Sequence, residues 1–301
     1  QLFEHRVCAV NRHFEVDDSN LSSVIDICRR LDGVALAIEL AAARVPLLSV
    51  EGLRARLEKD TRLLDSVAPN ATSRGCTLNE ALAWSHDLLS PPQQAVLRRL
   101  AVMAGSFDLA AAQGVAADAV LDEWSVLDEI GVLAEKSLLA TERTPTGEMR
   151  YRLLEPVRQF AMGQLVEAAE LEDVQDRHVA CFTTLAERAR DAPTWEQRVE
   201  RLRRLGLDGA NVEAAVSVCE GAAGGVERGL RLASALMPYW MHHGLLEQAH
   251  RANVTALARA GAGVPSDLRA RALLHAGAVC AARGDDAAAV TYLRQGVDLC
   301  R

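Results

Sequence analysis

Apolar residues recur at helical spacing along nearly the whole chain. In SNLSSVIDICRRL (residues 19–31), Leu21, Val24, Ile25, Ile27, Cys28 and Leu31 define one face and predict an amphipathic helix. The stretch VEGLRARLEKDTRLL repeats the pattern with Leu53, Leu57, Leu63 and Leu64, and Ser49 stands where a helix cap is needed. ICRRLDGVALAIELAAAR (27–44) breaks the pattern, because a charged helix ends at Asp32-Gly33 and an almost wholly apolar helix follows at once. Residues 1–67 therefore read as a small helical bundle. The turn-forming run APNATSRGCT (68–77) reads as a linker.

Beyond the linker the periods change in a set order. Ser90-Pro91-Pro92-Gln93 predicts a helix start with a capping box, and Gly105 is expected to stop that helix. DEWSVLDEIGVLAEKS predicts another helix. SLLATER and MRYRLLE, joined by TPTGE, predict the one β-hairpin, and a further helix is expected from Pro156. Helices, a hairpin and a closing helix spell a winged-helix domain over residues 77–170. Residues 171–301 return to helical patterning and contain a repeat. Setting Gly244 on Gly284 also aligns Trp240 with Cys280, Ala249 with Ala289 and Ala256 with Gly296. The second copy places Gly277 where two helices must touch and Gly284-Asp285 at the turn, and it resembles a tetratricopeptide-like hairpin. The expected fold is mainly α: a helical bundle, a winged-helix domain with one β-hairpin, then tetratricopeptide-like α-helical hairpins.

Composition narrows the function classes. Half of the 301 residues are hydrophobic and 25% are charged, which fits a globular protein of two or three domains. The longest apolar run, around Val34 to Ala43, is interrupted by Glu39 and falls short of the roughly 20 residues a membrane span needs. No membrane partner is expected. No signal-peptide pattern precedes the first helix, and the absence of a starting Met suggests that Gln1 is an internal position of a longer protein. Seven scattered cysteines without a CxxC pair read as reduced, and the protein is expected to be cytoplasmic, with no metal site. The net charge of −8 argues against sequence-independent nucleic-acid binding by the chain as a whole.

Asp32-Gly33-Val34-Ala35-Leu36-Ala37-Ile38-Glu39-Leu40-Ala41 resembles the GLPLA segment of the NB-ARC or STAND class of signal-transduction ATPases. ALAWSHDLLSPPQQAVLRRLAVMAGSFDLAAA and YRLLEPVRQFAMGQL are similar to the winged-helix stretches that follow it in the bacterial branch. The resemblance implies that residues 1–67 are a helical lid over a nucleotide, that the winged helix is a clamp, and that the helical repeats sense an inducer. It implies ATP or ADP with Mg²⁺ as cofactor of the full-length protein, an upstream nucleotide-binding domain in cis, self-assembly, and DNA contact only through a separate effector domain. Carried over by motif, Gly33, Ala35 and Leu36 would lie near adenine, with Glu155 and Arg158 at the clamp. Two positions depart from the family. Ala35 stands where Pro is usual, and Leu153-Leu154-Glu155 replaces a Met-His-Asp motif whose His would meet a phosphate. Glu155 is expected instead to cap the helix at Pro156.

No GxxxxGK[ST] occurs in the chain, so no catalytic residue is assigned and no ATP hydrolysis is expected from it alone. Direct DNA reading by the winged helix is disfavoured. The helix before the hairpin carries Asp122, Glu123, Asp128, Glu129 and Glu135 against Lys136, and carboxylates repel a polyanion. The basic stretch 198–215 reads as a solvated amphipathic helix. The expected function is the regulatory and sensor portion of a STAND-type ATPase, a transcriptional regulator that switches between ADP-closed and ATP-open states. The alternative is a helical-repeat interaction scaffold without ATPase activity.

Overall fold

The computed structural model describes residues 1–11, 14–17, 19–31, 35–65, 78–221, 225–261 and 264–300. They are mainly α-helical, with one two-stranded antiparallel sheet. Two compact units divide the chain: Gln1–Ala101 with Ala116–Ala168, and Val102–Val115 with Ala169–Arg301. The bundle and most of the winged-helix segment share the first unit. Residues 102–115 go with the helical repeats.

The first unit opens with α1 (Leu2–Val10), α2 (Leu21–Arg30), α3 (Ala35–Ala42), α4 (Val45–Asp65) and α5 (Leu78–Asp87). Phe3, Val7, Ile27, Leu31, Ala41 and Leu53 meet in its core, and burial of these side chains removes apolar surface from water. The amphipathic reading of α2 holds for Val24 and Ile27, whereas Leu21 and Ile25 remain exposed. Ser49 does act as a cap. Its φ of +60° breaks α4 into two helices, and its Oγ accepts the Gly52 N–H at 3.2 Å. The 68–77 linker and the Asp32-Gly33 joint lie outside the described residues.

Next come α6 (Pro91–Arg99), α7 (Leu109–Ala116), α8 (Glu123–Glu135), β1 (Ala140–Arg143), β2 (Met149–Arg152) and α9 (Glu155–Glu167). The capping box of α6 is present: Ser90 N–H donates to Gln93 Oε1 at 3.1 Å, and Gln93 N–H donates to Ser90 Oγ. The hairpin pairs Ala140 with Arg152 and Arg143 with Met149, and Gly147, at φ +87°, supplies the left-handed residue of its turn. Gly105 does not end α6. The helix stops at Arg99 and tightens into a single 3₁₀ turn at Leu100–Val102. In the second unit, Asn211 Oδ1 accepts the N–H groups of Ala104 at 2.8 Å and Gly105 at 3.4 Å, so neither can continue a helix. A β-carbon on Gly105 would lie 3.1 Å from the Ala210 side chain, and that close approach is what the glycine permits.

The second unit continues with α10 (Leu171–Arg190), α11 (Trp195–Leu207), α12 (Gly209–Gly221), α13 (Val226–His243), α14 (Leu246–Arg259), α15 (Ser266–Ala282) and α16 (Asp286–Leu299). The internal repeat appears as the hairpins α13–α14 and α15–α16. Gly244 and Gly284 end equivalent helices with φ of +68° and +81°, and Trp240 and Cys280 are both buried, as are Ala249 and Ala289. At Gly277 an added β-carbon would lie 2.7 Å from Leu293 Cγ and 3.2 Å from the Ala289 carbonyl oxygen. Gly277→Ala should therefore lose about 1–3 kcal/mol through overpacking. Gly163→Ala, where nothing lies within 4 Å of the new carbon in the middle of α9, should gain about 0.5–1 kcal/mol. Urea titration of the two variants checks the pair: no loss at Gly277 would contradict the close packing described there, and a loss at Gly163 would contradict the open space around it.

Among the described residues, no helix is long and apolar enough to cross a membrane.

Candidate functional site

The residues assigned to the lid fall at the start of α3. This helix forms because eight consecutive residues, ALAIELAA, contain no breaker and its alanines have the highest helix propensity. Ala37, Ile38, Leu40, Ala41 and Ala42 are buried, while Ala35 is exposed at the first position. Gly33 lies outside the described residues, and only the backbone of Leu36 is described. Ala35 thus presents a small apolar surface that a planar base could cover, without the ring of a proline.

The residues assigned to the clamp, Glu155 and Arg158, sit at the start of α9. Leu154, in extended backbone, is the N-cap and offers no side-chain hydrogen bond; Glu155 is the first helical residue, and Pro156 follows. The expected cap by Glu155 is therefore corrected. Its carboxylate is taken by its own helix: Arg158 Nε donates to Oε2 at 2.9 Å, Arg158 Nη2 to Oε1 at 2.8 Å, and Gln159 Nε2 to Oε1 at 2.9 Å. Those bonds hold the Glu155 carboxyl down at about 2, and the pairing raises the Arg158 guanidinium in turn. The pair is ionised at any working pH and internally neutral. Glu155 and Arg158 are brought together, but no described bond links them to Ala35. Helix α5 packs on both α3 and α9 and stands between the two halves of the candidate site. The residues present fit a base at α3 better than phosphates at α9, because Leu154 cannot donate and Arg158 is already engaged.

Sequence reading missed Arg44. It follows the apolar run of α3 and is fully buried. Its Nη2 donates to the Ser85 carbonyl at 3.1 Å and to Ser85 Oγ at 2.7 Å, and burial lowers its pKa. The available signal was an arginine closing a stretch of alanines, a charge at a position where the pattern demands burial. On the C-terminal side of α8, Lys136 Nζ donates to Gln93 Oε1 at 2.9 Å, and Arg6 Nη2 donates to the Glu135 carbonyl. Both place positive charge at the negative end of a helix.

The winged helix exposes an acidic recognition helix. Glu123, Asp128 and Glu135 of α8 face water together with Trp124, which is 75% exposed. Of the arginines in the wing, Arg143 and Arg152 are exposed, but Arg150 is buried and paired across the strands with Glu142. A helix entering the major groove needs donors on that face, and these positions carry acceptors.

Comparison with known proteins adds a family and several relatives. Residues 89–166 match a family described as a winged helix-turn-helix domain. Over 240 residues, 80% of this chain, the sequence is 38% identical to a protein of Mycobacterium tuberculosis named "Putative HTH-type transcriptional regulator", and a Mycobacterium bovis protein of the same name matches equally. The chain spans about a quarter of their length, 27%. An "Uncharacterized protein" of M. tuberculosis is 42% identical over 179 residues, which cover 59% of this chain and 45% of that one. Among solved structures, a Signal Transduction ATPase with Numerous Domains (STAND) protein with a tetratricopeptide repeat sensor, from Pyrococcus horikoshii, covers 87% of this chain and 53% of its own. It does so at 15% identity and a TM-score of 0.29, too low to carry an argument about fold.

Proposed function

We infer that this chain is the regulatory and sensor portion of a STAND-type ATPase acting in transcriptional control. The observation that carries this reading is the 38% identity over 240 residues to proteins named as HTH-type transcriptional regulators. A match over 240 of the 301 residues takes in the winged-helix segment, and the GLPLA-like run of Val34 to Ala41 is a separate support for the reading. In this reading residues 1–67 are the lid, 77–170 the clamp and 171–301 the sensor of an inducer. An upstream domain in cis supplies the P-loop and binds Mg²⁺ with ATP or ADP. Ala35 and Leu36 border the base, and phosphate contacts fall to that upstream domain. The paired Glu155 and Arg158 fix the start of α9 in the clamp. Inducer and nucleotide act by differential affinity for closed and open states. DNA is contacted through a separate effector domain, in keeping with the acidic exposed face of α8.

The second reading, a scaffold without nucleotide, draws on Ala35 and on Leu154, which serves as a helix cap rather than a phosphate donor. The two separate in one experiment on the product of the complete reading frame. The regulator binds fluorescent ADP in the micromolar range, and Ala35→Arg, at an exposed position, weakens it at least tenfold. A reading frame without GxxxxGK[ST], whose product binds no nucleotide, leaves the scaffold.

A further inference from the structure

A groove runs along α10 in the second unit. Its floor is the α10 stripe from Arg177 through Cys181 and Leu185 to Arg188, one wall is Ala110, Ala111 and Gly114 of α7, and the other is the Arg201, Arg204 and Leu205 side of α11. Two adjoining hollows of about 300 and 310 Å³ make it up. The walls are close and built of small residues: a β-carbon on Gly114 would lie 3.3 Å from Cys181 Sγ. One wall is tied to the floor, since Arg201 Nη1 donates to the Arg188 carbonyl at 2.7 Å. Four arginines line the groove, of which Arg204 is paired with Glu200 at 2.8 Å, against Asp108 and Asp208, and the floor is apolar at Cys181 and Leu185 with an arginine at either end.

The first unit carries the complementary surface on α8. Trp124, Asp128, Gly131 and Glu135 recur at spacings of four, three and four and form one exposed line, and the exposed Glu123 lies beside it, about 100° round the helix. Nothing lies within 4 Å of a β-carbon placed on Gly131, so no internal contact accounts for a glycine that lowers helix propensity there. The exposed indole of Trp124 sits among carboxylates. At 1.5 Å per residue, Trp124 to Glu135 spans about 17 Å and Arg177 to Arg188 about 17 Å, so with the indole toward one end of the groove the Asp128 and Glu135 carboxylates can run along α10 toward an arginine at the other end.

We propose that the groove along α10 is a docking site for the exposed face of α8 from a second copy of this chain, with Trp124 seated in one of the hollows. Apolar packing of the indole supplies affinity, and the opposed charges set register and encounter rate. The contact is heterologous. A copy that offers its α8 still has an open groove, so association proceeds to rings or longer arrays rather than stopping at a two-fold dimer. The inference is independent of whether the protein binds nucleotide.

Sedimentation of the 301-residue chain, with its complementary charge reversals, tests this. The chain should assemble beyond the dimer at low salt and dissociate as salt rises to about 0.5 M, because exposed charges are screened over a few ångströms there. A variant with Glu123→Arg, Asp128→Arg and Glu135→Arg has two positive faces, and one with Arg177→Glu and Arg188→Glu has two negative faces. Each alone should stay monomeric, and an equal mixture should assemble again in alternation. Should either reversal unfold the chain, Trp124→Ala and Arg188→Ala read the same two surfaces singly, each weakening association at least tenfold. A wild-type chain that is monomeric at about 100 µM and low salt, or assembly indifferent to these substitutions, overturns the proposal.

Discussion

Asn211→Ala is expected to destabilise the protein by about 3 kcal/mol, on the scale of leaving buried backbone groups unpaired. Asn211 is fully buried. Its amide oxygen accepts Ala104 N–H and Gly105 N–H, and its Nδ2 donates to the Ser106 carbonyl at 2.9 Å. One side chain thereby satisfies three backbone groups of a segment that is neither helix nor strand, and alanine can satisfy none. Urea unfolding gives the free energy, and hydrogen exchange should show protection lost at the amides of Ala104 and Gly105. Asn211→Asp keeps the acceptor for those amides but turns an oxygen toward the Ser106 carbonyl, and should be nearly as damaging near neutral pH. A loss under about 1 kcal/mol for Asn211→Ala would mean that water replaces the amide.

Acidification provides the second large effect. His178 on α10 is 1% exposed and lies against the Phe182 ring at 4.8 Å. Its Nε2 has no hydrogen-bond partner, and burial pushes its pKa down to about 4 from the ordinary 6.5. Above pH 6.5 the ring is neutral in folded and unfolded chains alike. Between 6.5 and 4 the unfolded chain takes up a proton that the folded chain refuses, so stability falls as pH falls and levels off below 4. The full effect is about 3 kcal/mol, of which about 2 kcal/mol is lost by pH 5. His275 acts in the same sense: burial first, then Arg271 and Arg190, lower it to about 4, and its partial exposure makes the contribution smaller. Unfolding free energies at pH 7.5 and pH 5 should differ by about 2 kcal/mol less in His178→Leu than in the wild type. Equal differences in the two proteins would remove His178 as the cause.

What the sequence revealed was what local chemistry determines. Ser90 and Gln93 specify a helix start through atoms three residues apart, and Gly147 specifies a turn through its own φ. The repeat was legible because Gly244 and Gly284 each end a helix that the following one packs against. Gly277 was legible because close helix contact leaves a glycine in an alanine-rich run. The misplaced stop at Gly105 shows the limit. A glycine that permits tight approach and one that ends a helix look alike in sequence, and the residue that decides between them, Asn211, lies about a hundred positions away. Glu155 was misassigned for a related reason. A carboxylate beside a helix start suits a cap, yet Arg158 and Gln159 on the next turn compete for it and win. The half of the candidate site at the start of α3 rests on family resemblance alone, since Ala35 and Leu36 carry no chemistry of their own.

The path of the backbone bears on inheritance as well as on folding. The chain passes from one compact unit to the other after Ala101, back after Val115 and across again after Ala168. A gene fusion joined near codon 169 would keep α10 to α16 but separate them from α7, which walls the groove, and from the segment that Asn211 holds. The first unit, cut at the same point, would retain residues 102–115 without the helices they belong to. Recombination can thus exchange the winged helix and the repeats as a pair, whereas exchanging either alone strands fourteen residues on the wrong partner. Descendants of such a protein should vary around these two units more freely than between them.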